Sequence, residues 1–232
     1  MSELHVFDAG AALARAGAEM IATAAAGARG RFNLALSGGR TPEQLYRTLA
    51  GDEFRERMNW ARVRIYFADE RAVPPTDPAS NFRLARETLI DPAGIPAPNV
   101  HRMKGDYADL DAAVVEYEAH LVEPMDVLVL GVGEDGHTAS IFPSSPLTVE
   151  RVCRVAVVRD SPKPPPIRLT ITPRVIREAR KVIVQAIGRE KAEAVARALE
   201  GTTDIREIPA RMLREYVWLI DRAAAARLAG AS

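Results

Sequence analysis

Cysteine is nearly absent from the chain: Cys153 is the only one in 232 residues. An internal disulfide is thereby excluded, and the composition fits a reducing compartment. Cys153 lies in the apolar run Val152 to Val158, which predicts a buried, inert thiol. An excess of charge of either sign is also missing. Lys plus Arg number 31 and Asp plus Glu number 31, so no bulk attraction to nucleic acid or an anionic membrane is expected. Overall balance still leaves room for a local cationic site. No segment approaches the roughly 18 uninterrupted apolar residues of a membrane span. The start lacks the basic opening and long apolar core of a secretory signal. Its Ala-rich stretch, Ala9 to Ala28, is punctuated by Arg15, Glu19 and Arg29 and reads as an amphipathic helix capped by Asp8. No repeat or shift of composition marks a boundary. The expectation is one cytoplasmic domain over residues 1–232, with no membrane and no nucleic-acid partner.

What is present is an alternation. Phe32–Leu36, Val63–Phe67, Asp126–Leu130, Val152–Val158, Ile167–Ile171, Val182–Ile187 and Tyr216–Ile220 read as strands. Several are apolar nearly throughout, as in a sheet covered on both faces. Helical patterns separate them at Pro42–Ala50, Ser80–Ile90, Leu110–Val122, Arg174–Ala179 and Glu190–Glu200. This order predicts an α/β fold, a mostly parallel, Rossmann-like sheet with helices on both faces. Ligands of such sheets sit beyond the carboxyl ends of the strands, so the loops there carry the functional argument.

Four regions stand out. The first is Ser37-Gly38-Gly39-Arg40-Thr41-Pro42-Glu43-Gln44. Thr41 suits an N-cap, Pro42 the first helical position, and Gln44 completes a capping box. Two glycines before a helix N-terminus let N–H groups converge on an anion; read alone, the loop fits an ordinary tight turn equally well. The second is Asp69-Glu70-Arg71, which can bind hydroxyls and phosphate, although a solvated ion-pair cluster is the simpler reading of those residues alone. The third, Gly131-Val132-Gly133-Glu134-Asp135-Gly136-His137-Thr138-Ala139-Ser140, begins like a dinucleotide fingerprint. Pro143 and Pro146 follow too closely for the helix that fingerprint must open. A flexible backbone presenting one imidazole for acid–base work fits better. No compact set of His, Cys and carboxylates suggests a metal, and Ser140 lacks the G-x-S-x-G context of a nucleophile. The fourth region holds the run Pro162-Lys163-Pro164-Pro165-Pro166, read as a stiff extended connector, and then Arg168 and Lys191. Lys191 lies at a helix start, where a cation opposes the dipole.

Taken together, these loops resemble the 6-phosphogluconolactonase family, in order and spacing over nearly the whole chain. The matching stretches are Leu36 to Pro42, Asp69 to Arg71, Ser80-Asn81, Gly131 to Pro143, Pro162 to Thr170 and Gly188 to Ala192. The resemblance implies a fold shared with glucosamine-6-phosphate deaminases and ribose-5-phosphate isomerases. It implies hydrolysis of 6-phospho-D-glucono-1,5-lactone to 6-phosphogluconate, the second step of the oxidative pentose phosphate pathway, with no metal or organic cofactor. It makes His137 the general base, with Asp135 either orienting it or bracing the loop. Ser37, Gly38, Gly39, Thr41, Asp69, Arg71, Lys163, Arg168 and Lys191 become candidates for the phosphate and neighbouring oxygens. The expected partner is the sugar-phosphate lactone, and the expected assembly a monomer or homodimer.

Two rival readings meet obstacles. A glucosamine-6-phosphate deaminase would resemble this chain up to His137 and then place a proton-accepting glutamate in an Asn-Glu-Pro triplet. Here the stretch is Ile141-Phe142-Pro143, and Phe142 accepts no proton. A sugar-phosphate sensor that regulates transcription would need a DNA-reading segment, for which the matching pattern leaves no spare length.

Overall fold

The computed structural model describes residues 3–229. Its strands are β1 (Glu3–Phe7), β2 (Phe32–Leu36), β3 (Val63–Phe67), β4 (Asp69–Arg71), β5 (Val127–Gly131), β6 (Val155–Val158), β7 (Arg168–Ile171), β8 (Val182–Ala186) and β9 (Val217–Asp221). The helical segments are α1 (Gly10–Gly27), α2 (Arg40–Ala50), α3 (Asp52–Arg55), α4 (Asn81–Ala85), α5 (Asp91–Ala93), α6 (Leu110–His120), α7 (Pro173–Glu178), α8 (Ala192–Leu199) and α9 (Arg222–Ala225). Six strands form a wholly parallel sheet in the order β1-β9-β8-β5-β2-β3. Every side chain of β2 and β8 is buried, so both faces of the central sheet are covered, as their continuous apolar runs predict. Fully buried Trp218, Phe67, Leu34 and Leu36 belong to one core cluster. Burying each such side chain contributes about 1.5–3 kcal/mol. Among the described residues no helix is long and apolar enough to cross a membrane.

The remaining strands depart from the expected single sheet. β6 and β7 do not join the parallel array; they pair antiparallel with β4 in a separate sheet, β4-β7-β6. The connection from β6 to β7 holds no helix, whereas a parallel return needs a crossover of a dozen residues or more. Ala68 ties the two sheets together: its N–H donates to Leu36 O (2.7 Å) and its carbonyl accepts from Ile171 N–H (2.8 Å). The small sheet is thus held at the carboxyl ends of β2 and β3. β1, which the sequence pattern did not mark, is a largely exposed edge strand.

Several local expectations are corrected. Asp8 does not cap α1: the N-cap is Ala9, without a side-chain cap, and Asp8 pairs with Arg222 instead. α2 begins at Arg40, after Gly39 at φ 106°, and no side chain caps it. Thr41 therefore lies in the first helical turn. The segment predicted as one helix from Ser80 is α4, capped by the Ser80 hydroxyl, followed by a π-helical turn over Arg86–Ile90. Cys153 is exposed rather than buried. The strand begins only at Val155, because the Glu150 carboxylate gathers the N–H groups of Arg151, Val152 and Cys153 into a loop (2.8, 2.5 and 3.1 Å).

Candidate active site

Beyond the carboxyl ends of β2, β5 and β8 lies a cavity of about 590 Å³. Ser37, Gly38, Gly39, Thr41, Asp69, Arg71, His137, Lys163, Arg168 and Lys191 all line it. Asp135 stands behind the imidazole. The folded chain thus brings together residues spread over more than 150 positions.

The loop that presents His137 leaves the buried strand β5 and closes on itself. Gly133 N–H donates to His137 O (2.8 Å), and Gly136 N–H donates to Gly133 O (2.9 Å). The imidazole lies directly on Gly133: a Cβ there would stand 2.0 Å from His137 Nδ1, so only glycine fits. The ring also packs on Phe142, with centroids 4.7 Å apart. Asp135 Oδ1 meets Nδ1 at 2.5 Å and also accepts from His137 N–H at 3.3 Å. Burial by itself would raise the Asp135 carboxyl. The hydrogen bond from His137 and Lys163 Nζ at 3.6 Å outweigh burial and hold the carboxyl well below the usual range. Asp135 is therefore a carboxylate, the Nδ1 proton points to it, and Nε2 is left as the basic nitrogen.

Two of the cations have carboxylates nearby, Lys163 beside Asp135 and Lys191 beside Glu134, whereas among the described residues Arg71 and Arg168 form no salt bridge. Arg168 is 4% exposed, yet among the described residues no salt bridge reaches it. Its guanidinium donates to the carbonyls of Pro165 (3.2 Å), Lys163 (3.0 Å) and Pro164 (3.3 Å) and lies 5.4 Å above the Phe142 ring. The Pro-rich segment is thus not the extended spacer expected of it. It curls round the guanidinium because a buried cation needs acceptors. Desolvation lowers the Arg168 pKa from its ordinary value, but a guanidinium remains charged. Arg71 donates to Ala79 O (2.6 Å), while its buried Nε has no partner. Lys191 Nζ lies 3.7 Å from Glu134. Across from these cations, the uncapped N-terminus of α2 offers its first-turn N–H groups and its dipole to an anion.

Other expected residues brace the site. The Ser37 hydroxyl donates to Val129 O (2.8 Å). Asp69 accepts from Ser140 Oγ (2.7 Å) and Asn81 Nδ2 (3.0 Å), which links the His137 loop to β4. Ser140 is fully buried and committed to this bond, so it is no nucleophile. Asn81 also presses on Gly38, where a Cβ would fall 1.7 Å from its Oδ1. Glu70 is not part of a solvated ion cluster. It is buried, which pushes its carboxyl pKa up, and it accepts from the N–H groups of Arg71, Asn81 and Phe82 and from the Ser80 hydroxyl. Sequence reasoning did not mark Arg40, Gln185 or Glu190 as site residues and read Gln44 only as part of a capping box; all four also line the cavity. For Gln185 one signal was available: a lone amide within the strand Val-Ile-Val-Gln-Ala. Among the described residues no group of three or more His, Cys, Asp or Glu side chains is arranged to hold a metal ion.

Comparison with known proteins bears on this geometry. A family profile described as glucosamine-6-phosphate isomerases/6-phosphogluconolactonase matches residues 8–219. The 6-phosphogluconolactonase of Streptomyces coelicolor is 40% identical, covering 86% of this chain and 83% of its own. That of Mycobacterium tuberculosis is 37% identical over 98% of both chains. The human 6-phosphogluconolactonase is 38% identical, over 93% of this chain and 88% of its own. The solved 6-phosphogluconolactonase of Trypanosoma brucei superposes with a TM-score of 0.84 at 30% identity, covering 99% of both chains. A monomeric glucosamine-6-phosphate deaminase shares the fold, with a TM-score of 0.85 at 23% identity over 97% of this chain and 99% of its own. From the profile match over most of its length and these relatives, the chain belongs to the glucosamine-6-phosphate isomerase/6-phosphogluconolactonase family.

Proposed function

We propose that the chain hydrolyses 6-phospho-D-glucono-1,5-lactone to 6-phospho-D-gluconate, with His137 as the general base. One observation carries this reading. A single cavity joins an imidazole bonded to an ionised carboxylate with a buried arginine that has no carboxylate of its own. The first arrangement accepts a proton; the second attracts a phosphoryl group.

The chemistry follows from these parts. A lactone is an activated ester, so water needs positioning and deprotonation rather than a covalent intermediate. Water attacks C1 while His137 Nε2 takes its proton, and the carbonyl electrons move onto oxygen. The tetrahedral oxyanion then collapses, the C1–O5 bond breaks, and the imidazolium returns the proton to O5. Asp135 keeps Nδ1–H oriented and faces the positive charge that develops on the ring. Arg168, Arg71, Lys163 and the N-terminus of α2 hold the phosphoryl end away from C1, so that its binding energy serves orientation. Phe142, against the imidazole, favours hydrolysis over deamination with isomerisation, which calls for a second proton carrier there. The test is a pH-stat assay on freshly generated lactone with the spontaneous opening subtracted. Enzyme-dependent acid release supports the reading, and a rate equal to the background overturns it.

A further inference from the structure

Phe142 is a buried aromatic that the main apolar core does not use. It is 3% exposed, yet it stands outside the core cluster to which its neighbour Ile141 belongs. Nor does it line the catalytic cavity. Its ring instead meets two groups that do. The His137 imidazole lies at an interplanar angle of 39°, with the centroids 4.7 Å apart. The guanidinium carbon of Arg168 stands 5.4 Å from the same ring centroid. A tight turn makes the first contact. Ile141 N–H donates to Thr138 O (2.9 Å), and Ala139 takes φ 49°, a left-handed conformation uncommon for a residue with a Cβ. The chain thereby returns Phe142 onto the imidazole.

We propose that Phe142 is a positioning residue that couples the proton-accepting half of the site to the phosphoryl-binding half. The inference rests on the lactone reading above. An aromatic face carries partial negative charge and attracts cations. Arg168 is a permanent cation, held by three backbone carbonyls and by this ring. His137 becomes a cation as it takes the proton from water. Gly133 and Asp135 fix the imidazole at Nδ1, and Phe142 supports the ring itself. One side chain thus favours the imidazolium and keeps the guanidinium in a set place relative to it. A residue that only filled space would serve neither charge.

The experiment measures kcat and KM on the phosphorylated lactone, with the spontaneous opening subtracted. It compares wild type with Phe142→Leu, and repeats the substitution in His137→Asn and Arg168→Ala backgrounds. Phe142→Met takes its place should the leucine variant not fold. Loss of the ring is expected to lower kcat by about 3- to 30-fold and to raise KM by a similar factor. The kcat loss should nearly vanish in the His137→Asn background and the KM rise in the Arg168→Ala background, the signature of direct coupling to each group. Constants that stay unchanged, or a change in only one of the two, overturn the proposal. So do losses that add fully in both double variants, which would make Phe142 a filler of space. Wild-type turnover of the lactone in the same assay separates failure of this inference from failure of the reading beneath it.

Discussion

Asp135→Asn separates the two roles open to Asp135. In the structure the same oxygen, Oδ1, accepts from the His137 backbone N–H at 3.3 Å and meets Nδ1 at 2.5 Å. Asparagine keeps an oxygen for the backbone bond, so the loop retains its brace. What disappears is the negative charge facing the imidazole, and the amide N–H₂ can turn to Nδ1 and impose the wrong tautomer. A hydrogen bond to a charged group is worth about 1.5–3 kcal/mol, which lowers kcat by about 10- to 150-fold at 1.36 kcal/mol per decade. KM should change little, because the carboxylate lies behind the ring. Steady-state kinetics on the fresh lactone provide the assay. Stability adds a pH test with a defined sign. The folded carboxyl pKa is depressed, so its contribution is fully present above the unfolded value near 3.9 and is lost as pH falls through the lower folded value. The stability gap between wild type and Asp135→Asn should therefore be constant at neutral pH and shrink below about pH 4. A variant with kcat within about threefold of wild type would leave no room for a contact of this strength. Asp135 would then only brace the loop.

His137→Asn should keep the fold and KM but lose about 10²- to 10⁴-fold in kcat; a variant that retains most of its kcat would point to another base. Arg168→Ala should raise KM for the phosphorylated lactone about tenfold or more and barely affect unphosphorylated gluconolactone, with equal effects on both placing Arg168 outside the phosphoryl site. Chelators should leave turnover unchanged; activity lost in EDTA and restored by one divalent ion would require a different mechanism.

Much of the site was legible because its residues cluster in short loops after apolar strands. Gly38 and Gly39 left an anion-binding turn and an ordinary tight turn equally open, and the lone imidazole in Gly131 to His137 suggested acid–base work; both loops line the cavity. Arg168 and Lys163 were legible as cations and no more. That Pro-rich carbonyls enclose the guanidinium depends on how residues 163–166 fold back, and proline content by itself suggested the opposite. Asp69 and Glu70 were ambiguous for the same reason. Two adjacent carboxylates look solvated until the chain folds Asn81 and the N–H groups of α4 back onto them and brings in Ser140 from 71 residues away.

The sequence by itself determined the alternation of strands and helices, the buried character of β2, β5 and β8, and the loops that hold the chemistry. These are local properties, written in hydrophobic period and turn residues. The tertiary structure decided the rest. Strand pairing is non-local, so β6 and β7 left the parallel sheet for a partner near residue 70, and β1 found an edge beside β9. Burial is likewise settled by whatever packs from elsewhere. It exposed Cys153 where an apolar run predicted a core thiol, and it buried the Gln185 amide against α1 without a hydrogen bond to another protein group.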